Sequence, residues 1–423
     1  MVILLTGATG FIGRRLAAAL RAAGHIVVEA GRSSAACSHG VAADFTRDLK
    51  PKDWAPKLAG VDVVVNAVGI LRERGGQTFA SVHTCAPRAL FAACAAAGVR
   101  RVVQISALGA DRGSTGYFAS KRAADDYLAG LPLEWTIVQP SLVYGEGGTS
   151  ARLFNVLATL PITPLPAGGR QHVQPIHVDD LVQAIVNMLG SAAVAHQRVP
   201  LVGPRSMSLR EFLQQLRTAM GLRPAPVLSA PHWMMRISAS IAQWSPRSLL
   251  DRETLVMLEM GNVADPSITQ HLLRRPPREV AAFIPVERRA ITASQSKLAW
   301  LLPLMRFSIA LVWIWTGIVS LGWYPRESSY ALLARTGAPH VLFPFLLYGA
   351  AALDFVFGAA TMLLSNRRRL WLAQLALIVA YTIVVTAKLP EYWLHPYGPI
   401  LKNLPMLAAI YLLYELEQPI RGK

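Results

Sequence analysis

The stretch that decides the fold is Met1–Gly13, MVILLTGATGFIG, followed by RRLAAALRAAG over 14–24. The apolar run at 2–6 predicts a buried strand, and the Ala- and Leu-rich segment after it predicts a helix. Of the three glycines, Gly7 permits a tight turn, Gly10 lets the backbone approach a diphosphate, and Gly13 allows helix and strand to pack closely. The amino terminus of the helix adds free N–H groups and a positive dipole. In this strand-turn-helix context, the glycines predict a dinucleotide-binding turn.

The first half of the chain alternates short Val- and Ile-rich runs with longer segments of helical character. We predict strands near 2–6, 25–29, 61–65, 99–105 and 134–139, with helices between them. Ser208 and Glu211 form a capping box that opens a further helix through about Met220. This alternation predicts an α/β fold with a doubly wound parallel sheet of the Rossmann type.

Composition excludes several classes of protein. The 423 residues are 53% hydrophobic and 16% charged, which is too apolar for a disordered chain and long enough for two or three domains. The 42 Lys and Arg against 25 Asp and Glu give +17, but the excess is spread along the chain. We therefore expect a basic face near anionic lipid and no nucleic-acid partner. Cys37, Cys85 and Cys94 form no CxxC pair, so neither a disulfide framework nor a metal site is expected.

Charged residues become sparse after Leu298. There are 19 uncharged residues between Arg306 and Arg326 and 18 between Arg369 and Lys388. A third apolar span, from Arg335 to Arg367, is interrupted only by Asp354, and a fourth runs from about 399 to 414. Such lengths favour a four-helix transmembrane bundle over buried helices of a soluble core. The predicted domains are 1–221, a juxtamembrane or substrate-side region 222–297, and the transmembrane domain 298–423.

Basic residues predict the orientation in the membrane. Arg367, Arg368 and Arg369 lie between the second and third spans and are expected on the cytoplasmic side. Four crossings then place the amino-terminal domain and the carboxyl terminus in the cytoplasm as well. The amino terminus does not resemble a signal peptide, because it lacks a basic segment and a long apolar run. We expect a multi-pass protein of the inner membrane.

The region 222–297 contains an amphipathic stretch at 231–250. Trp233, Met234, Ile237, Ile241 and Trp244 share one helical face. Core packing and a helix lying at the membrane surface are both open interpretations.

Four segments together resemble the short-chain dehydrogenase/reductase superfamily: TGATGFIG (6–13), NAVG (66–69), Ser106 at a strand end, and YFASK (117–121). ISALGA (105–110), QPSLVYG (139–145), PIHVDDLVQAI (175–185) and LVGPRSMSLREF (201–212) resemble the atypical or extended branch related to the nucleotide-binding accessory subunit of respiratory complex I. This resemblance covers roughly residues 1–290. The carboxyl-terminal block, notably 389–408, resembles the DoxX-like family of four-helix membrane proteins.

The resemblance implies that Tyr117 is a general acid/base, Lys121 its partner and Ser106 the hydroxyl that orients a carbonyl. Spacing agrees, since Tyr117 and Lys121 lie four residues apart on one helix face. We expect the ammonium to lower the phenol pKa and to hold the cofactor ribose. One departure is His83, which stands where many members carry an asparagine of the proton relay.

Arg32 lies at the position where relatives in this branch carry a basic residue that binds the 2′-phosphate of NADP. Glu29, which at the tip of the second strand would select NAD, is expected inside that strand. NADP(H) is therefore preferred over NAD(H). The resemblance also places Asp44 and Phe45 beside adenine. The predicted cofactor-binding set is Gly7, Thr9, Gly10, Phe11, Ile12, Gly13, Arg32, Asp44, Phe45, Asn66, Ala67, Val68, Tyr117, Lys121 and Pro140.

These features predict a membrane-anchored NADP(H)-dependent oxidoreductase that acts on a lipophilic carbonyl or alcohol. An epimerase or dehydratase is one alternative, and a non-catalytic nucleotide-binding subunit or redox sensor of a membrane complex is another. Membrane lipid is an expected partner, with a membrane complex or homo-oligomer left open. Within the apolar block, Asp354 is either functional or paired with Lys388 or Lys402, and Gly349 and Gly358 are expected to permit close helix packing.

Overall fold

The computed structural model describes residues 1–32, 40–231, 233, 256–257 and 260–417. The chain forms two compact units, Met1–Ser296 and Lys297–Lys423. Cys37 and most of the amphipathic stretch 231–250 lie outside the described residues; of its stripe, Trp233 is described and is exposed.

A seven-stranded parallel sheet is the centre of the first unit, with the order β11-β6-β5-β4-β1-β2-β3. Its strands are β1 Val2–Thr6, β2 Ile26–Gly31, β3 Gly40–Ala42, β4 Val63–Asn66, β5 Arg101–Ile105, β6 Glu134–Pro140 and β11 Gln197–Leu201. The strand order reverses direction at β1, which creates a crevice at the carboxyl ends of β1 and β4. The predicted doubly wound fold is confirmed.

Helices cover both faces of this sheet. They are α1 Phe11–Ala22, α2 Pro51–Trp54, α3 Ala86–Ala96, α4 Gly116–Ala129, α5 Thr149–Thr159, α6 Val178–Met188, α7 Leu209–Ala219 and α8 Ser267–Leu273. Because successive strand residues point to opposite faces, Leu5 joins the core under α1 while Leu4 joins the core around Trp54. Both faces are apolar, which explains why the strands contain near-continuous runs of Val and Ile.

Three two-stranded pairs accompany the main sheet in this unit. They are β7 Val143–Tyr144 with β10 Ile176–His177, β8 Thr163–Pro166 with β13 Val227–Ala230, and β9 His172–Val173 with β12 Met207–Ser208. The Ser208 hydroxyl accepts a hydrogen bond from the Glu211 N–H at 3.1 Å, so α7 begins where the capping box predicts. Val280 and Phe283 join the core around α7, so described residues of 222–296 pack into the first unit.

The second unit is helical. Its helices are α9 Arg289–Ile318, which starts in the first unit, α10 Arg326–Thr336, α11 Phe343–Leu363, α12 Arg368–Lys388 and α13 Asn403–Leu416. Three helical stretches, Val286–Trp323, His340–Leu363 and Arg368–Lys388, are long and apolar enough to cross a membrane. The fourth apolar helix, α13, has 14 residues. At 1.5 Å per residue it spans about 21 Å, less than the ~30 Å hydrocarbon layer.

Polar contacts tie the helices together at both ends of the second unit. At one end, Glu417 accepts from Arg306 at 2.5 Å and from the Trp371 indole at 3.4 Å, and Arg368 donates to the Tyr414 hydroxyl at 2.9 Å. At the other end, Arg335 forms an ion pair with Glu391. The last helix therefore ends beside the start of the uncharged stretch of α9.

For the apolar block, the structure argues against one of the two alternatives for Asp354 and against the expectation for Gly349. Asp354 is buried in the middle of α11 and, among the described residues, forms no ion pair with Lys388 or Lys402, because both lysines are exposed at helix ends. Gly358 does allow close packing, since a Cβ there would lie 3.1 Å from the Ala310 carbonyl oxygen. A Cβ on Gly349 would meet nothing within 4 Å.

Candidate active site

The glycine turn after β1 is shaped for close backbone approach. Gly7 has φ +71°, and a Cβ there would lie 2.8 Å from the Ala67 carbonyl group. A Cβ on Gly13 would lie 2.0 Å from the Gly7 carbonyl oxygen, so helix α1 packs directly on the turn. Thr9 and Gly10 are exposed at the amino terminus of α1, whose first turn contains the half-buried Phe11 and Ile12. This cradle, which a side chain would fill, fits a dinucleotide diphosphate.

A row of buried polar side chains crosses the strand ends beside this turn. Thr6 donates to Asn66 at 2.5 Å, and Asn66 donates to Gln104 at 2.7 Å. The Ala67 N–H bonds the Thr6 carbonyl oxygen at 3.1 Å, and the Val68 N–H bonds Asn66 Oδ1 at 3.3 Å. The predicted residues Asn66, Ala67 and Val68 therefore lie next to the glycine turn in a fixed conformation.

Helix α4 brings Lys121 to the end of β5. Its ammonium donates to the Ile105 carbonyl oxygen at 3.1 Å and approaches the Val68 carbonyl oxygen at 3.5 Å. A Cβ on Gly69 would lie only 3.2 Å from Lys121 Nζ, so glycine there makes room for the ammonium. Ser106 follows Ile105 directly, and Tyr117 lies one turn before Lys121 on the same buried face of α4. Lys121 and Ser106 therefore lie at the carboxyl end of β5, and Tyr117 lies one helical turn from Lys121.

Burial dominates the electrostatics of this group. It raises the pKa of Tyr117 to about 12, with the Asp125 carboxylate adding to the effect. The expected lowering of the Tyr117 pKa is therefore wrong for this structure, because burial disfavours the charged phenolate. Burial lowers the pKa of Lys121 to about 8, and Asp125 opposes that shift. At neutral pH the phenol is protonated.

Asp125 is a site residue that the sequence analysis missed. It is fully buried one turn after Lys121, and its Oδ2 accepts a hydrogen bond from the Ser106 hydroxyl. Burial raises its pKa to about 7. The spacing 117, 121 and 125 places all three side chains on one helix face, a signal that could have identified it.

His83 has a structural role in this site. It lies in a π-helical turn, Ala80–Cys85, and its Nε2 accepts from the Ile70 N–H at 3.0 Å. Its Nδ1 lies 3.0 Å from the Ser120 hydroxyl, which itself donates to the Tyr117 carbonyl oxygen. Burial, followed by the Lys121 charge, lowers the pKa of His83 to about 2. A neutral imidazole with its proton on Nδ1 therefore links the NAVG loop to helix α4.

Glu29 lies inside β2, whereas Arg32 lies just past its carboxyl end. The strand continues to Gly31, and Glu29 inside it pairs with Arg21 at 2.6 Å. Arg32 is exposed just past the strand end, and its charge reaches Asp44, whose carboxylate accepts from the Thr46 N–H at 2.9 Å. The Glu29 carboxylate is therefore engaged by helix α1.

The other two residues of the predicted cofactor set are Phe45, in the turn after β3, and Pro140, at the end of β6. Phe45 is buried edge-on against Trp54 at 5.2 Å. Pro140 ends β6, where its carbonyl oxygen accepts from the Leu108 N–H at 2.9 Å.

Apolar residues surround the Tyr117 ring. Phe79 lies edge-on to it with 6.0 Å between ring centroids, and Ala107 and Met257 pack against the same cluster. Met257 comes from the region 222–297, and no pattern in the sequence places it there. In the described ranges, no group of three or more His, Cys, Asp or Glu side chains is arranged to hold a metal ion.

Family models match two separate parts of the chain. An NAD(P)H-binding family matches residues 7–166, and a DoxX-like family matches residues 310–411. The first match spans the glycine turn, the NAVG loop and the Ser106, Tyr117 and Lys121 group. The second spans most of the apolar helices.

Several named proteins are similar to about half of this chain or less than two thirds of it. The 3-diazoavenalumate denitrifying reductase of a Streptomyces species is 34% identical over 267 residues, covering 54% of this chain and 85% of that protein. The ceramide reductase of Caulobacter vibrioides is 26% identical over 255 residues, covering 58% of this chain and 78% of that protein. The 40 kDa subunit of NADH-ubiquinone oxidoreductase of Neurospora crassa is 28% identical over 156 residues, covering 37% of this chain and 41% of that protein.

These matches and the fold agree with the resemblance found in the sequence. The chain therefore contains an NAD(P)H-binding Rossmann domain of the atypical short-chain dehydrogenase/reductase type in its first unit and a DoxX-like domain in its second.

Proposed function

We propose that this protein is a membrane-anchored, NADPH-dependent reductase that acts on a lipophilic carbonyl compound. The observation that carries the proposal is the position of Lys121, whose ammonium binds the Ile105 carbonyl oxygen just before Ser106. Tyr117 lies one helical turn before Lys121 on the same buried side of α4. The reductase names of two relatives support the reaction class. The reverse reaction, oxidation of the alcohol, uses the same groups.

The chemistry divides between cofactor and protein. Bound NADPH supplies the hydride. Tyr117 is protonated at neutral pH and donates its phenolic proton to the substrate oxygen as negative charge develops there. Lys121 binds the ribose and stabilises the phenolate that remains, and Ser106 orients the substrate oxygen by a hydrogen bond.

Preference for NADPH over NADH rests on the end of β2. Arg32 is exposed past the strand and free to meet a 2′-phosphate, a geometry that suits a guanidinium. Glu29, the carboxylate that would bind a ribose hydroxyl, is occupied by Arg21. The proposal assigns Gly7, Thr9, Gly10 and Gly13 to the diphosphate.

The lipophilic substrate class rests on two features. Phe79, Ala107 and Met257 provide an apolar surface beside Tyr117. Three helices of membrane-spanning length follow the reductase unit in the same chain, which confines the site near lipid. The ceramide reductase among the relatives acts on a lipid, which supports the same class.

A steady-state assay of the detergent-purified full chain tests the proposal. We expect loss of NADPH absorbance with long-chain ketones and much slower loss with UDP-sugars. No net NADPH consumption, together with interconversion of a UDP-sugar, would instead identify an epimerase. Bound nucleotide without turnover of either substrate class would identify a nucleotide-binding subunit or redox sensor.

A further inference from the structure

The buried carboxyl group of Asp125 is not used by the mechanism above. It is fully buried on helix α4, and its Oδ2 accepts the Ser106 hydroxyl. Its Oδ1 has no hydrogen-bond partner among the described residues. A buried carboxylate with an unsatisfied oxygen is costly in free energy, whereas a protonated carboxyl group is less so.

This contact decides what Ser106 can do. A serine hydroxyl has a single hydrogen. When that hydrogen is donated to an ionised Asp125, it is not available to a substrate oxygen. When Asp125 carries a proton, the carboxyl group can donate to Ser106 Oγ instead, and the serine hydrogen is free to turn toward the substrate.

We propose that Asp125 is a positioning residue that, by gaining or losing its proton, sets whether the Ser106 hydroxyl points toward the substrate oxygen or away from it. The proposal rests on the proposed reductase function, because it assumes a carbonyl oxygen at Ser106. No proton is transferred to the substrate by this pair. Asp125 changes only the direction of one hydrogen bond, and Tyr117 remains the proton donor.

Charged groups around Asp125 act in both directions. Lys121 on the same helix and Arg198 on β11 favour the ionised carboxylate, and Asp111 on the loop after β5 opposes it. Arg198 is itself paired with Asp111 and Asp126. Burial outweighs these charges and places the pKa of Asp125 at about 7, so both protonation states are populated near neutrality.

The first test is the pH profile of kcat/KM for ketone reduction by the full-length protein. In the wild type, kcat/KM is expected to fall roughly tenfold or more between pH 6.5 and 8.5, as Asp125 ionises. In Asp125→Asn the part of this fall that Asp125 causes disappears, because an amide does not titrate. Only a shallower fall remains, from ionisation of Lys121, whose pKa burial lowers to about 8, and the Kd for NADPH stays unchanged. If Asp125 has only a structural role, Asp125→Asn lowers kcat/KM by the same factor at every pH, and the full fall between pH 6.5 and 8.5 remains. That result would overturn the proposal.

Asp126→Asn is the matched control. Asp126 is the next residue on the same helix and is exposed, so its variant removes the same charge outside the site. We expect this variant to keep the full fall. If the fall becomes shallower in both variants, it reports the general charge of the helix, and the assignment to Asp125 fails.

A second test does not depend on turnover. Infrared difference spectra between wild type and Asp125→Asn at pH 6 should show the C=O stretch of a neutral carboxylic acid. This band should vanish at pH 8.5 and should shift in Ser106→Ala. If the band is present but no ketone is reduced, the reductase proposal fails while the Asp125–Ser106 exchange stands; if it is absent at pH 6, the Asp125 proposal fails whatever the activity.

Discussion

At the scale of single residues, Gly69 is the position where one methyl group should alter the site most directly. A Cβ there lies 3.2 Å from Lys121 Nζ and 3.6 Å from His83 Nε2. Gly69→Ala should therefore push the ammonium away from the ribose and the phenol. We expect a loss of roughly tenfold or more in kcat/KM, since a misplacement of about 1 Å can cost ~10²-fold.

The matched control for this variant is Gly76→Ala. A Cβ on Gly76 meets nothing within 4 Å, and the residue is exposed on the same loop. Kinetics of the two alanine variants, measured side by side, check the prediction. Equal activity of Gly69→Ala and wild type would show that Lys121 is not held where the structure places it.

Burial of Asp125 also predicts how stability changes with pH. An unfolded aspartate has a pKa of about 3.9, whereas burial raises the pKa of Asp125 to about 7 in the folded protein. Between these values the folded state binds more protons than the unfolded state, so the free energy of unfolding falls as pH rises. Asp125→Asn lacks this loss.

We therefore expect the Tm of Asp125→Asn, relative to wild type, to rise by roughly 5 °C between pH 4.5 and 7.5. Thermal unfolding followed at several pH values measures this difference. A Tm difference that stays constant with pH would contradict the burial of an uncharged carboxyl group.

At the scale of secondary-structure elements, the end of β2 determines the choice of nucleotide. Arg32→Ala should raise the Kd for NADPH by roughly tenfold to a hundredfold and leave the Kd for NADH nearly unchanged, because only NADPH carries the 2′-phosphate. Arg100→Ala is the control, because Arg100 is an exposed arginine just before the amino-terminal end of β5, whereas Arg32 follows the carboxyl end of β2. Fluorescence titration with both nucleotides decides the matter, and an equal loss for both would remove Arg32 from the 2′-phosphate site.

Much of the element level could be predicted from the sequence. The apolar runs at 2–6 and 134–139 and the Ser208 capping box lie within one residue of the strands and helix observed. The second strand ends two residues later than predicted, at Gly31, because pairing with β3 extends it: Gly31 pairs with Ala42. Local patterns carry no information about such long-range pairing.

The environment of the site was harder to predict than its members. Tyr117 and Lys121 follow from motif and spacing, but the direction of the Tyr117 pKa shift depends on burial by residues distant in the chain. Contact of Met257 with the Tyr117 cluster likewise depends on tertiary packing. His83 departs from the family pattern, and its link between Ile70 and Ser120 is visible only once the loop and helix α4 are placed together.

At the scale of the whole molecule, four crossings predict that both ends of the chain face the cytoplasm. Glu417, at the end of α13, contacts Arg306 and the Trp371 indole within the second unit, which supports a fourth crossing despite the short helix. Fluorescent-protein and alkaline-phosphatase fusions after residue 417 should report a cytoplasmic carboxyl terminus. Fusions in the 389–402 loop should report the periplasmic side. A periplasmic carboxyl terminus would contradict the fourth crossing and indicate that the chain crosses the membrane three times.

The measurement that bears most directly on the reductase proposal is deuterium transfer from 4-deuterated NADPH, tested as both stereoisomers, to a long-chain ketone. With the purified full-length wild type, mass spectrometry should find one deuterium in the alcohol formed from one of the two isomers. Tyr117→Phe should bind NADPH normally but transfer deuterium at least ~10²-fold more slowly. An unlabelled product, or equal transfer by Tyr117→Phe, would contradict hydride transfer at a site where Tyr117 donates the proton.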